Sequence, residues 1–268
     1  MKILYLTISY PDIKISSNLY SDLASEFAHN GHEVYVVAPS LNGETKLNQE
    51  GNVKVLRVNT FLLFKTGFIK KGIANILLPF QFEKAIRKNL FKKNFDVIIS
   101  PTPPITLGGL IRRLKTKFDA KTYLILRDIF PQNAKDLDLI KNDFLFFYFR
   151  KKEKLLYQAS DFIGCMSQGN IDYIIKHNNK IDNNKLHILP NWIKVEDYSP
   201  SKNDFRSKYG LNNKYVAVFG GNLGVPQYID FILDLAKLYI NQSDISFLII
   251  GDGTEKTRIK KRNTGSQL

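Results

Sequence analysis

Short, nearly continuous apolar runs recur along the chain, and apolar residues returning every three or four positions fill several of the stretches between them. Lys2–Ser9, His32–Pro39, Val53–Asn59, Phe95–Ser100, Ala120–Arg127, Asp161–Ser167 and Lys185–Leu189 read as strands. The first ends at the turn signal Tyr10-Pro11-Asp12. It is followed by a stripe of Leu19, Leu23 and Phe27, with Tyr20, Ala24 and Ala28 beside it, closed by Asn30-Gly31. Further helices are predicted over 105–117, after Pro101-Thr102-Pro103-Pro104, and over 144–158. Apolar strands alternating with helices predict an α/β fold whose parallel sheet is covered on both faces. Right-handed crossovers place the carboxyl ends of such strands on one edge, where ligands bind.

The pattern changes after residue 190. Residues 191–213 are polar and turn-rich and read as a linker between a first domain, 1–190, and a second, 214–268. The second begins with strand 215–219, loop 220–227, helix 228–240 and strand 245–250. Residues 256–268 (KTRIKKRNTGSQL) carry no apolar period and are expected to be a frayed tail. Two strands and a helix bury little apolar area, so the second Rossmann-like unit is expected to be incomplete.

Composition narrows the class. The 268 residues are 44% hydrophobic, which a packed core requires. The single cysteine, Cys165, lies in an apolar run and reads as a small buried side chain in a reducing compartment. No run approaches the roughly 18 apolar residues of a spanning helix, and nothing after Met1–Ser9 resembles a cleavage site. A cytoplasmic chain, peripheral at most to the inner face of the cytoplasmic membrane, is expected. The net charge of +14 favours anionic partners. Nucleic acid is not expected, because the basic residues are not set in a binding motif. A dinucleotide-dependent dehydrogenase is disfavoured, since no G-x-G-x-x-G follows the first strand. Residues 61–94 mix Ile73, Ile76, Leu77 and Phe80 with Lys65, Lys70, Lys71, Lys84, Arg87, Lys88, Lys92 and Lys93 against the single acid Glu83. That composition suits an anionic membrane surface, or equally a helix with one face on the sheet and a solvated basic face. Phe144–Phe149 (FLFFYF) reads as core or as a second membrane patch.

Six segments occur in order: GHEVYVVAP from Gly31, ILRDIFPQN from Ile125, ASDFIGCMSQGN from Ala159, ILPNWI from Ile188, FGGNLGVPQ from Phe219 and IIGDG from Ile249. Together, over residues 1–255, the chain resembles the family 4 retaining glycosyltransferases of the GT-B fold, above all those building bacterial O-antigen and capsule sugars. The resemblance implies transfer of a sugar from a nucleotide-sugar donor to a lipid-linked or saccharide acceptor, with no cofactor and no metal.

It also implies site residues. Arg127 and Asp128, at a strand's carboxyl end, stand where the family surrounds the acceptor hydroxyl. There a carboxylate can orient or deprotonate the acceptor and an arginine can stabilise phosphate charge; a surface Arg–Asp pair is the plainer alternative. Ser16, Ser17 and Asn18 form the acceptor-side loop, with capping of the following helix as their first role. Gly220, Gly221 and Gly224 are expected to form a loop cradling the donor diphosphate, or an ordinary strand–helix turn. Gly251 and Asp252 would lie by the nucleotide base, and Asn191 would meet the donor side, or be a turn residue. The chain departs from the family at Asn222 and Gln227, neutral amides where relatives carry an arginine and a lysine. It also lacks the family's glutamates spaced E-x7-E. A non-catalytic remnant, or a subunit needing a separately encoded C-terminal half, is the alternative expectation.

Overall fold

Where the first 165 residues have apolar runs, the structure has strands buried over most of their length. The structure, a computed structural model, describes residues 1–61, 68–193, 195 and 204–264. The chain divides into two units, Met1–Val195 and Glu196–Leu268.

The first unit runs β1 (Lys2–Leu6), α1 (Leu19–His29), β2 (Glu33–Pro39), β3 (Lys46–Glu50), β4 (Val53–Val58), α2 (Phe68–Asn89) and β5 (Val97–Pro101). It continues α3 (Gly108–Phe118), β6 (Lys121–Leu126), α4 (Gln132–Asp136), α5 (Asp143–Ala159), β7 (Phe162–Cys165), α6 (Gln168–His177) and β8 (Leu186–Ile188). The eight strands are ordered β3-β4-β2-β1-β5-β6-β7-β8. All neighbours are parallel except β3 and β4, which form an antiparallel hairpin. Strand order therefore reverses at β1, and the crevice between the carboxyl ends of β1 and β5 is the switch point at which such sheets take ligands.

The helices split between the two faces. Leu78, Phe82 and Ile86 of α2, Leu110 and Leu114 of α3, Leu156 of α5 and Ile174 of α6 close one face. Ala24, with Tyr20, Leu23 and Phe27 of α1, closes the other. Cys165 is fully buried among them, and burial pushes its thiol up to about 11, so it stays protonated. Segment 144–149 divides: Phe149 packs on the core, whereas Phe144 and Phe147 are exposed.

The second unit contains α7 (Phe205–Lys208), β9 (Tyr215–Asn222), α8 (Asp230–Leu238), β10 (Ile245–Asp252) and α9 (Lys256–Thr264). β9 and β10 pair in parallel, and Leu223, Ile229, Leu233 and Ile259 form its small core. Two expectations are corrected here. Residues 256–264 are a helix rather than a frayed tail. Ile259 is buried, and Arg258 and Arg262 both ion-pair with Asp230 of α8, so charge pairing replaces the missing apolar period; residues 265–268 lie outside the described residues. The linker contains α7, and its residues 194 and 196–203 lie outside the described residues.

Candidate functional site

At the switch point, β1 leads into Thr7, β5 into Thr102, and β6 into Arg127 and Asp128. Thr102 is 1% exposed. Its Oγ1 accepts the backbone N–H groups of Arg127 at 2.9 Å and Asp128 at 3.2 Å. One buried hydroxyl thus sets the turn that presents both predicted site residues. Thr7 does the same for the neighbouring turn, where its Oγ1 accepts the Ser9 N–H at 3.1 Å.

Arg127 and Asp128 do not ion-pair with each other among the described residues, so the surface-pair alternative does not describe them. The Arg127 guanidinium instead lies 5.9 Å from the ring centre of Tyr20, in the first turn of α1. One of its terminal nitrogens is buried without a protein hydrogen-bond partner. The Tyr20 ring meets Tyr5 of β1 edge-on at 6.4 Å, and the Tyr5 hydroxyl is likewise buried and unpartnered. Burial holds that phenol well above its usual pKa, and the nearby Arg127 charge only partly offsets this. Arg127 thus brings an unmet hydrogen-bond donor to the edge where the sheet receives ligands, and the Tyr5 hydroxyl is a second unmet donor within the core beneath α1; each is costly to leave unmet. The Asp128 carboxyl is raised above the usual carboxylate range because neighbouring atoms strip part of its hydration, with Arg127 pulling the other way.

In the acceptor-side loop the expected capping of α1 falls to Asn18. Its side-chain Oδ1 accepts from Tyr20 N and Ser21 N, each at 3.0 Å, and Ser21 Oγ in turn accepts from Asn18 N. Asn18 Nδ2 also holds Ser9 O and Ser9 Oγ at 3.2 and 3.1 Å. Its amide is thus fully engaged, and Ser16 and Ser17 are the exposed members. Asn191 is exposed as well. Its neighbour Trp192 docks on α1 through Nε1 to Leu19 O at 2.9 Å.

In the second unit the expected glycine loop is a strand. β9 continues through Asn222, and Gly220, Gly221 and Asn222 stand opposite Ile250, Gly251 and Asp252 of β10. A Cβ on Gly251 would fall 1.9 Å from the Gly221 carbonyl oxygen, and one on Gly253 would fall 2.3 Å from that of Leu223. At 251 and 253 glycine admits close backbone approach. The turn proper is Leu223–Ile229, where Gly224 lets Asn222 and Gln227 meet side chain to side chain at 3.2 Å. Asp252 accepts from its neighbour Gly253 N at 2.9 Å and pairs with Lys256. No three His, Cys, Asp or Glu side chains among the described residues are grouped to hold a metal.

The sequence reading missed Thr102, Tyr5 and Tyr20 as neighbours of the site. For Thr102 there was a signal, a hydroxyl between prolines at a strand end. For the tyrosines there was none beyond ordinary core pattern.

Residues 17–197 match the family described as Glycosyltransferase Family 4. Among curated proteins, a probable glycosyltransferase of Pseudomonas aeruginosa, WbjE, is 25% identical over 74% of this chain and 49% of its own length. An uncharacterised glycosyltransferase of Methanocaldococcus jannaschii is 24% identical over 86% of this chain and 57% of its own. The chain thus spans about half the length of these curated relatives. Among solved structures, sucrose-phosphate synthase of Thermosynechococcus elongatus superposes with a TM-score of 0.67 at 12% identity, over 98% of this chain and 67% of that one. HepE of Anabaena, solved with UDP and glucose, gives 0.60 at 13% identity over 98% and 65%. At such identities the likeness is one of fold.

Proposed function

Because the chain belongs to glycosyltransferase family 4 and has its two-unit GT-B fold, we propose that it acts in transfer of a sugar from a nucleotide-sugar donor to an acceptor, with anomeric retention. The single observation that carries this is the unmet Arg127 nitrogen at the carboxyl end of β6, beside the sheet's switch point, a donor suited to an oxygen-rich anionic ligand. Asp128, raised in pKa, orients the acceptor hydroxyl and takes its proton as the glycosidic bond forms and the bond to the diphosphate breaks. Arg127 balances negative charge at that edge. On the second unit, Asn222, Gln227 and the 223–229 turn offer amide and backbone groups to the donor. UDP-glucose is the donor to try first, since HepE was solved with it.

The acceptor we propose is lipid-linked, in surface polysaccharide synthesis. Along α2, Ala74, Leu78, Phe82 and Ile86 face the core, while Ile73, Ile76, Leu77 and Phe80 are exposed and lead into Lys84, Arg87 and Lys88 on the same side. An apolar stripe continuing into a basic one suits an anionic bilayer surface. Lys65 and the Lys71 side chain lie outside what is described. No helix among the described residues is long and apolar enough to cross a membrane.

Labelled sugar transfer from UDP-glucose and other nucleotide sugars into bacterial lipid extract tests the reading. Loss of transfer on Asp128→Ala and Arg127→Ala, with exposed Lys180→Ala active, supports it; equal activity in all three refutes the site. Co-sedimentation with phosphatidylglycerol vesicles, abolished by Phe80→Glu, tests the membrane face.

A further inference from the structure

The segment between β1 and α1 crosses the carboxyl edge, and it is held there from the β3–β4 hairpin. Arg57 of β4 is a charged residue 5% exposed inside a buried strand. Its Nε and Nη2 grip Glu50 of β3 at 2.9 and 2.7 Å. Nη1 and Nη2 also donate to the carbonyl oxygens of Tyr10 and Pro11 at 2.6 and 2.8 Å. The guanidinium lies 5.3 Å from the Tyr10 ring centre. A buried arginine needs a counter-ion, and Glu50 supplies it; half of these bonds, however, go to loop residues 47 and 46 positions earlier in the chain. A second contact comes from the hairpin turn, where Gly51, at φ 58°, lies beneath Ile13. A Cβ there would come within 3.1 Å of Ile13 Cδ1. The loop's far end is tied by Asn18 to Ser9, as described above. Between these ties Asp12 nucleates a turn, accepting Lys14 N on its side chain and Ser16 N on its carbonyl, each at 3.0 Å.

We propose that Arg57, with Glu50 as its part-buried counter-ion, is a positioning residue that holds Tyr10 and Pro11 and so fixes the 12–17 segment that follows, against which the acceptor is received. The acceptor part rests on the transferase reading; the restraint on the loop does not. A lysine at 57 keeps the charge but cannot fork to a carboxylate and two carbonyls at once.

Segment-resolved hydrogen–deuterium exchange on the full chain carrying Arg57→Lys tests the restraint. Amides of residues 12–17 should exchange roughly tenfold faster, the equilibrium worth of one charge-assisted hydrogen bond, while β1, β2 and β5 stay protected; tryptic cleavage after Lys14 should quicken with them. Glu50→Gln, the milder variant if Arg57→Lys folds poorly, should loosen the same residues less. In transfer from UDP-glucose, the lipid extract needed for half-saturation should rise about tenfold with the plateau within about twofold. Unchanged exchange at 12–17, or a rise spread evenly through the sheet, overturns the restraint. Localised loosening without a shift in half-saturation overturns the acceptor role. If the unmodified chain transfers no sugar from any donor while loosening is localised, the transferase reading fails and the bracket stands.

Discussion

Replacing Thr102 with valine removes one hydroxyl and leaves the side chain's shape. In the native turn that oxygen receives the N–H groups of Arg127 and Asp128 at 2.9 and 3.2 Å; its own bond to Asp128 O, at 3.4 Å, is long enough to contribute little. Valine strands two donors, each worth about 1–3 kcal/mol when buried and unmet. Because Asp128 is open on one side, water can reach one of them, which brings the net loss to about 2 kcal/mol. In a unit of this size that lowers Tm by about 4–8 °C. Urea unfolding followed by circular dichroism should show a lower midpoint at unchanged slope. Thr102→Ser, which keeps the hydroxyl, should lose no more than about 1 kcal/mol. If valine is as stable as threonine, or if serine is equally damaging, the hydroxyl does not organise the turn and the account of the site's geometry is wrong.

Two further outcomes follow from the site. The Asp128 carboxyl is raised in the folded chain, so folding disfavours its charged form relative to the unfolded chain, and stability is lost as pH rises through the folded pKa. Asp128→Asn should therefore raise Tm at pH 7, lose that advantage below about pH 4, where the unfolded carboxyl also holds its proton, and abolish transfer; a lower Tm at pH 7 contradicts the stated cause. Gly251→Ala places a methyl 1.9 Å from a backbone oxygen that cannot swing away, and should cost the second unit about 3 kcal/mol. Exchange should then quicken in β9 and β10 while β1 to β8 keep their protection, and unaltered exchange in β9 refutes the close-approach role.

The parallel strands were legible because the stretch of a strand that is buried on both faces must be largely apolar, as β2 is from Val34 to Ala38 and β6 from Tyr123 to Leu126. β3 was not, since Lys46–Glu50 is polar apart from Leu47; an antiparallel edge strand sheds apolar residues to avoid pairing with other chains. α9 escaped notice because its side toward α8 is held by arginines. The glycines of β9 and β10 were visible, but their reason was not. A phosphate loop and two backbones in close approach call for the same residue, and only strand register separates them. Arg127 and Asp128 stood at a strand end, where position alone marks them. Thr102, Tyr5 and Arg57 act on partners tens of residues away, and local periodicity carries no trace of those contacts. Arg57 left one sign, a cation inside an otherwise buried strand, with no indication of what it held.

The first strand of this sheet in chain order is the one that ends in its middle. β1 pairs on one side with β2, complete at Pro39, and on the other with β5, which starts at Val97. During synthesis at about 5–20 residues per second, the half-sheet β3-β4-β2-β1 can close while the opposite edge of β1 waits several seconds for its neighbour. For that interval an apolar row, Ile3 to Leu6, has open hydrogen-bonding groups and no mate. α2, made in the same interval, supplies the cover for one face of that edge before β5 arrives, so the order of elements along the chain is also an order of protection on the ribosome.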